Sequence, residues 1–556
     1  MSGKNERKNG FIIQAGILAA AGLVSRIIGL LYRSPLHRVI GSAGLGYYSI
    51  AYDYYMIILL ISSYSIPSAI SKVIAQKLAV KEFGNAHRIF RCAIWYVLAV
   101  GGAAGLFLYF GAGLFVRPEV VPVLRTFAPT IFVYGILGVL RGYFQAHKSM
   151  IQTSVSQILE QIVNAAVTIG AAYLLINSAM GSMEVPADEA GQMRRATYGA
   201  VGSAMGTGAG VLAALLFMAG IYAINSKIIK KRIRKDRHGE VDSYGSIMRT
   251  ITLVVTPFIL NTAVNNMSGT VNNTIYCKIL PSLRKLDDSA VLAMNAGWGV
   301  FKGQAQTISN IPNAFATAMA AAMIPTVAQL AAARDFEGAR EKIGLAVKTT
   351  MIISIPCAVG LFVLARPVTG LLFTNTRQDE DLATGLLMAL SLSVIFYALS
   401  ALNSQILQGL GKVNRPIINA GIGLAVQTAT ALGLFIFTDL DLYCIVAANT
   451  MYSGVVCVLN QRAVRKAVGY RQELLKTFIL PVVASLSMGA TAWAVYESLL
   501  MLTASPKISV VAAIILAAFV YFAMLLLLRD LTEEELRGFP KGGALVRLAK
   551  KCGLMH

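Results

Sequence analysis

Charged side chains inside apolar stretches are the residues of this sequence that could do chemistry. Arg26, Arg33 and Lys302 are three such cations, and Arg33 follows Arg26 by about two helical turns, which places both on one helix face. A charge in hydrocarbon costs ~2.5–3.5 kcal/mol or more, so each one should face water or a partner. Guanidinium groups donate two parallel hydrogen bonds to phosphate. The three cations therefore predict a cavity wall that binds an anionic headgroup.

Structural interpretations of the same residues stay open. Arg26 and Glu160 could form buried ion pairs between helices, and Arg33 could extend its side chain to the membrane interface. Asp53, Arg141 and Glu160 are the other charges within or beside apolar stretches. We predict that these three shape the cavity or a gate.

Amide side chains form a second group of candidates. The stretch around Lys302 is rich in Gly, Gln and Asn, and such amides need partners in a membrane. Gln306 and Asn310 are therefore assigned to the cavity or gate. Asn265 and Asn272, seven residues apart, are a candidate ion site, with simple hydrogen bonding between helices as the favoured alternative.

Metal and nucleotide chemistry finds no support in the sequence. The six cysteines and five histidines are scattered, without the spacing of metal ligands. No phosphate-binding loop of the G-x-x-x-x-G-K-[ST] type occurs. We predict a transporter rather than an enzyme, with no metal and no cofactor. Its energy would come from a Na+ or H+ gradient, the membrane potential or the substrate's own gradient.

The elements that must position these residues are membrane-spanning helices. Of the 556 residues, 56% are hydrophobic and 14% are charged, whereas soluble domains carry about 25% charge. A spanning helix needs about 20 apolar residues. The sequence predicts fourteen spans, over residues 11–32, 45–68, 89–115, 123–144, 152–176, 197–224, 248–275, 293–329, 344–373, 382–409, 416–437, 442–461, 474–500 and 507–528.

Positive charges predict the orientation of these spans. The net charge of +22 would suggest nucleic acid in a soluble protein, but Lys and Arg collect in the cytoplasmic loops of membrane proteins. With the N-terminus inside, about three quarters of the loop Lys and Arg residues fall on the cytoplasmic side. We therefore predict a multi-pass protein with both termini in the cytoplasm and no nucleic-acid partner.

The two halves of the chain resemble each other. Residues 75–87 align with residues 328–340 at a constant offset of 253, and residues 143–148 echo residues 406–412. Because six spans separate the copies, they predict two like-oriented six-helix lobes around a central cavity, as in transporters. The predicted domains are an N-terminal lobe over 1–226, a basic cytoplasmic linker over 227–247, a C-terminal lobe over 248–466, and spans thirteen and fourteen with a basic tail over 467–556.

Several short motifs along the spans resemble those of a known family. They are Ser-Arg-Ile-Ile-Gly at 25–29, Gly-Tyr-Tyr at 46–48, Ser-Ile-Pro-Ser-Ala-Ile-Ser-Lys-Val-Ile-Ala at 65–75, Arg-Gly-Tyr-Phe-Gln at 141–145, Ser-Gln-Ile-Leu-Glu-Gln at 156–161 and Ile-Leu-Gln-Gly-Leu-Gly-Lys at 406–412. In this order the motifs resemble the polysaccharide-transporter branch of the multidrug/oligosaccharidyl-lipid/polysaccharide (MOP) exporters. Within that branch they are most similar to the SpoVB/YtgP-type members, which are relatives of the MurJ-like lipid II flippases.

This resemblance implies an all-α, V-shaped membrane protein with fourteen helices in the bacterial plasma membrane. It also implies outward flipping of an undecaprenyl-diphosphate-linked saccharide, in MurJ-like members the peptidoglycan precursor lipid II, with cell-wall synthesis machinery as a further partner. The family's span-one arginines correspond to Arg26 and Arg33. Its span-eight arginine has no counterpart here, because Gln306 stands in that region and Lys302 lies about one turn away. Its acidic position early in span two aligns nearer Gly46 than Asp53.

Three other functions stay open at this point. A cation-coupled multidrug antiporter with the same fold would need an acidic, aromatic pocket for cationic drugs. A polyprenyl glycosyltransferase would need a carboxylate pair on the outer face, for which the stretch 379–381 is the candidate. A noncatalytic protein of envelope or spore assembly would tolerate substitution of the charges within its spans.

Overall fold

The computed structural model describes residues 21–22, 24–64, 66–147, 149–234, 242–373 and 377–528, without the side chains of some helical residues. All regular structure in these ranges is helical. Residues 24–31 form a helical stretch that precedes the first labelled helix. The helices are α1 (Arg33–Leu59), α2 (Ile66–Ala79), α3 (Phe83–Phe115), α4 (Val121–Ala146), α5 (Ile151–Met180), α6 (Glu189–Arg234), α7 (Tyr244–Asn273), α8 (Leu280–Arg284), α9 (Asp288–Val300), α10 (Gln306–Ala332), α11 (Phe336–Val363), α12 (Ala365–Leu372), α13 (Arg377–Gly409), α14 (Asn414–Phe437), α15 (Leu442–Val468), α16 (Leu480–Thr503) and α17 (Pro506–Leu527).

Four π-helical turns interrupt this pattern of α-helices in the described part of the chain. They lie at Leu60–Tyr64, Thr274–Ile279, Phe301–Ala305 and Leu475–Ile479. A π-turn contains i to i+5 hydrogen bonds and is frequent at functional sites. The first and third fall in predicted spans two and eight, the second begins at the end of span seven, and the fourth falls in span thirteen.

Ten helical segments of the described chain are long and apolar enough to cross a membrane. They coincide with predicted spans three to six and nine to fourteen. Predicted spans two, seven and eight are also helical, with a π-turn inside spans two and eight and at the end of span seven, and half of span one lies outside the described residues. The chain is therefore an all-helical multi-pass membrane protein.

Contacts divide the chain into two compact units, with the boundary between Gly303 and Gln304. This differs from the division that the repeat predicts at 227–247. Helix α7 and helix α9 fall in the first unit because α9 packs directly on α1. The predicted lobes are defined by sequence similarity rather than by contacts, and they stay a prediction.

Local capping explains where several helices begin. Ser243, Asp287 and Asp335 accept hydrogen bonds from the backbone N–H groups of Ser246, Ala290 and Gly338, which caps α7, α9 and α11. Such caps satisfy amide groups that have no partner within the helix. These polar caps fix the ends of helices whose middles are apolar.

The predicted repeat is present in the backbone. In the first copy, four hydrogen bonds join Lys81 N to Leu78 O, Glu82 N to Lys77 O, Phe83 N to Lys81 O and Ala86 N to Glu82 O. The same four bonds recur in the second copy with every residue number raised by 253. Lys81 and Arg334, at equivalent positions, both adopt a left-handed backbone with φ of 64° and 55°. Each unit therefore contains the same tight helix–loop–helix turn.

In the first unit, helices α5 and α6 pack without space for larger side chains. A Cβ atom at Gly202 or Gly206 would lie 2.4 Å from Ala172 N or 2.0 Å from Thr168 Oγ1, and one at Gly210 would lie 2.5 Å from Glu160 O. Small residues every four positions let membrane helices approach closely. This contact fixes α5, and with it the Glu160 carboxylate.

In the second unit, α13 packs against α10, α11 and α15. The last two helices, α16 and α17, pack on each other, and α16 also packs on α11. Tyr521 of α17 donates a hydrogen bond of 2.7 Å to the backbone oxygen of Ile352 in α11. The two C-terminal helices are therefore anchored to the second unit.

Candidate functional site

An ion pair joins two of the predicted site residues in the first unit. Lys302 Nζ lies 3.2 Å from Asp53 Oδ1, and both side chains are only 15% exposed. Asp53 belongs to α1, and Lys302 belongs to the π-turn that follows α9. The two residues are separated by 249 positions in sequence. The pair therefore depends on the packing of α1 against α9.

Two glycines bring these helices together. A Cβ atom at Gly46 of α1 would lie 1.8 Å from Asn295 O, and one at Gly299 of α9 would lie 2.2 Å from Ser42 O. Any larger residue would push the backbones apart, since real Cβ atoms do not approach so closely. Asp53 lies about two turns beyond Gly46 and Lys302 about one turn beyond Gly299, so the glycine contact positions the ion pair.

Helix α7 completes the surroundings of the carboxylate. The side-chain nitrogen of Asn273 donates to Asp53 Oδ2 at 3.2 Å and to Ile50 O at 3.0 Å. The hydroxyl of Thr270 donates to the backbone oxygen of Asp53 at 3.3 Å. A buried carboxylate needs such donors. Three segments of the first unit thus converge on Asp53.

Arg33 contacts the same π-turn from the start of α1. Its Nη1 atom lies 3.4 Å from both Lys302 O and Gly303 O. Lys302 Nζ also lies 5.5 Å from the centre of the buried Trp298 ring. We call Arg33, Asp53, Asn273 and Lys302 the polar cluster. It holds two cations and one carboxylate, which gives an excess of one positive charge.

A second buried pair lies between α4 and α5. Arg141 Nη2 is 2.8 Å from Glu160 Oε2, and Arg141 Nε donates to Ser156 Oγ at 2.9 Å. The side chains are 6% and 16% exposed. Because both charges are satisfied locally, this pair is suited to fixing two helices relative to each other.

The other predicted residues lie apart from the polar cluster or outside the described part. Arg26 is exposed, and no hydrogen bond or ion pair joins it to another described residue. Gln306 is partly buried and Asn310 exposed, both in α10 of the second unit. Asn272 is buried next to Asn273. The side chain of Asn265 lies outside the described residues, so the predicted ion site stays a prediction.

Two features of this region are not predicted by the sequence. The sequence analysis selects Asn272, whereas its neighbour Asn273 is the residue that contacts Asp53. It also misses the aromatic group of Tyr48, Tyr52, Tyr55 and Phe127, in which Tyr55 stacks on Phe127 at 4.7 Å. The spacing of the three tyrosines along α1, by three and four residues, was the available signal.

Comparisons with known proteins point to one family. The family model described as lipid II flippase MurJ matches residues 91–514. Lipid II flippase MurJ of Bacillus subtilis is 22% identical over 489 residues, covering 85% of this chain and 86% of that protein. Stage V sporulation protein B of the same organism is 22% identical over 551 residues, covering 97% of this chain and 99% of that protein.

A solved structure shows the same fold. It is that of lipid II flippase MurJ in an inward closed conformation, which aligns with a TM-score of 0.63 at 15% identity. The alignment covers 92% of this chain and 99% of that one. Because the family model spans well over half of the sequence, this chain belongs to the lipid II flippase MurJ family.

Proposed function

We propose that this protein moves a polyprenyl-diphosphate-linked saccharide, the peptidoglycan precursor lipid II, from the inner to the outer leaflet by alternating access. Family membership supports the type of substrate. The observation that carries the proposal is the polar cluster, in which Arg33 contacts the backbone of the π-turn that carries Lys302, inside an apolar membrane protein. Its two cations and its excess of one positive charge suit it to binding an anionic diphosphate.

The physical need for such a cluster follows from the substrate. A diphosphate cannot cross hydrocarbon unaided, because removing its charges from water is prohibitive. Arg33 and Lys302 replace water by donating charge-assisted hydrogen bonds, while the polyprenyl tail stays in lipid. In this proposal the diphosphate displaces the Asp53 carboxylate from Lys302. Asp53 therefore holds the cation in place when no substrate is bound.

Arg26 is the third cation in the proposal. It is exposed and has no ion-pair partner among the described residues, so its guanidinium group is available to an incoming headgroup. Arg141 and Glu160 act differently, since each neutralises the other. We assign them to the geometry of the helices that carry the cavity.

The remaining features of the proposal concern energy, orientation and partners. The protein acts as a transporter without a cofactor, and coupling to Na+ or H+ drives its cycle. Both termini lie in the cytoplasm, as the distribution of Lys and Arg predicts. Cell-wall synthesis enzymes supply and consume the lipid substrate on the two sides of the plasma membrane.

Depletion of the resident lipid II flippases in bacterial cells tests this function. Expression of this chain should restore the accessibility of lipid II at the outer leaflet, measured by labelling of intact cells. Arg26→Ala should abolish the rescue at unchanged abundance in the membrane. No rescue by the wild-type chain, together with resistance to cationic drugs, would replace the proposal with multidrug export.

A further inference from the structure

A separate cavity lies at one end of the first unit, where α3 begins, α4 ends, α5 begins and α6 extends beyond its apolar part. Its volume is about 240 Å³, enough for several water molecules at ~30 Å³ each. This end carries the loops that the charge distribution assigns to the cytoplasm. None of the polar cluster residues lines the cavity.

Two histidines and an amide supply hydrogen-bonding groups to this cavity. His87 lines it from α3, His147 from the end of α4 and Gln152 from the start of α5. The buried Nδ1 atom of His87 has no hydrogen-bond partner among the described residues. Ser149 Oγ donates to Gln152 Oε1 at 2.5 Å, so the Gln152 amide nitrogen is left as a donor for another group.

The charge around the cavity is positive. No Asp or Glu is found among its lining residues in the described structure. Arg91 lies one turn after His87, is exposed, and is close enough for its charge to act on the His87 ring. Lys227 and Lys231 are exposed on the α6 extension. The nearby Glu82 is already engaged by Lys77 and Asn85.

One helix N-terminus points the same way as these charges. Helix α5 begins beside the cavity without a side-chain cap and without an acidic residue in the first turn. The N-terminus of a helix carries a partial positive charge, which favours an anion. It reinforces the donors that line the cavity.

The rest of the cavity is apolar. Phe83, Phe144, Ile228 and Ile229 line it beside the histidines. A freely soluble anion would leave these side chains against water, whereas an amphiphile would cover them. Ile228 is 56% exposed, which leaves apolar surface next to the polar groups.

We propose that this cavity binds the phosphate group of an anionic membrane lipid, with the lipid's glycerol and upper acyl carbons against Phe144 and Ile229. His87 and Gln152 donate hydrogen bonds to the phosphate oxygens, and Arg91 and Lys227 supply the surrounding positive charge. The site is distinct from the polar cluster, so it does not depend on the proposed transport function. The cavity recognises the phosphate group of the lipid. A free phosphate ion carries the same group and is the alternative ligand.

Native mass spectrometry of the purified full chain tests the proposal. Phosphatidylglycerol should bind at least tenfold more tightly than phosphatidylcholine, and His87→Leu and Gln152→Leu should each weaken that binding about tenfold, because each removes a hydrogen bond to a charged group. Arg340→Leu is the matched control, since Arg340 is the repeat equivalent of His87. It should bind phosphatidylglycerol as the wild type does.

Two further measurements decide between the outcomes. Excess inorganic phosphate should leave the bound phosphatidylglycerol in place, and its displacement would assign the site to free phosphate instead. In nanodiscs, phosphatidylglycerol with a photoreactive group near its headgroup should crosslink to the starts of α3 and α5 in the wild-type chain. Crosslinks elsewhere in the wild-type chain would overturn the proposal, and this result does not depend on the folding of any variant. Weakening of phosphatidylglycerol binding by Arg340→Leu as large as that by His87→Leu would also overturn it.

Discussion

The two copies of the repeated helix–loop–helix turn share a backbone but differ in their side-chain contacts. In the first copy, Lys77 Nζ lies 2.7 Å from Glu82 Oε2 and 2.6 Å from Asp242 Oδ2. Asn85 accepts a hydrogen bond from Asp242 N, and Arg88 donates to Asp242 O. These contacts, which we call the latch, tie the turn to the residue that precedes the cap of α7.

The second copy has no equivalent of the latch among the described residues. Leu330 stands where the first copy has Lys77, and Asp335, the equivalent of Glu82, caps α11 through Gly338 N at 2.8 Å. The same backbone turn is therefore used in two ways. One copy binds a distant segment of the chain, and the other only starts a helix.

A second pair of equivalent regions shows the same divergence. An offset of 263 aligns Arg141 with Ser404 and Ser156 with Asn419, and the turns that follow share two backbone hydrogen bonds at that offset. The first copy uses the Arg141–Glu160 ion pair. The second uses neutral groups, in which Asn460 donates to Ser404 Oγ and Asn419 donates to Asn460 Oδ1, both at 2.8 Å.

The largest expected effect on stability comes from removing one charge of the Arg141–Glu160 ion pair. Arg141→Leu leaves Glu160 buried and unpaired, which should destabilise the protein by ~3–5 kcal/mol. Ser404→Ala, its counterpart, removes one neutral hydrogen bond and should cost only ~1 kcal/mol. Apparent unfolding temperatures in detergent should rank the two variants in this order. Equal shifts would show that charge does not distinguish the networks.

Gly46→Ala should have the next largest effect. The added Cβ would overlap Asn295 O, so α1 and α9 must separate, at ~1–3 kcal/mol for overpacking. Separation would also move Asp53 away from Lys302, so flipping should fall. Gly170→Ala is the control, because nothing lies within 4 Å of its Cβ position. Wild-type stability and flipping in Gly46→Ala would refute the proposed close contact.

Lys77→Leu places in the first copy the leucine that the second copy has at the equivalent position, Leu330. This substitution should break the contacts of the latch. Lys77 is 28% exposed and Asp242 34% exposed, so solvent screening should limit the loss to ~1 kcal/mol or less. The hydrogen bonds to Asp242 and Glu82 raise the pKa of Lys77, so the charge is present at every physiological pH. Hydrogen exchange at the start of α7 should increase, and 1 M salt should produce part of the same increase in the wild type. Unchanged exchange in the variant would contradict the latch.

The smallest expected effects distinguish the helix cap at Asp335 from the ion pair between Glu82 and Lys77. Asp335→Asn should leave stability within ~0.5 kcal/mol, because Asn caps helices about as well as Asp. Glu82→Gln, at the equivalent position, removes a charge from Lys77 and should measurably increase hydrogen exchange in the α2–α3 turn. If Asp335→Asn had the larger effect, the two copies would not differ in the way described.

Much of the fold follows from the sequence, for clear physical reasons. Ten spans are long apolar helical segments, and apolar length alone predicts them. The repeated turn was found from residues 75–87 and 328–340, since its backbone depends on local residues. The π-turns could not be predicted, because they result from packing rather than from local composition.

The candidate site was predicted only in part. Lys302, Asp53 and Arg33 were selected as charges in apolar stretches, and that signal needs no structure. Their arrangement depends on which helices touch, and the contact of Gly46 with α9 bridges residues far apart in sequence. The contact of Asn273 with Asp53 is not predicted for the same reason, since a run of asparagines in the sequence does not show which one faces a carboxylate.

Flipping of lipid II by the purified chain in proteoliposomes tests the central claim most directly. In the double variant Asp53→Asn/Lys302→Gln, both charges of the ion pair are removed together, so neither partner is left charged without the other and the protein should fold normally. Loss of a charge-assisted contact of ~1.5–3 kcal/mol predicts at least tenfold slower flipping than in the wild type. Flipping at the wild-type rate by this folded double variant would contradict a role for the polar cluster in moving the diphosphate.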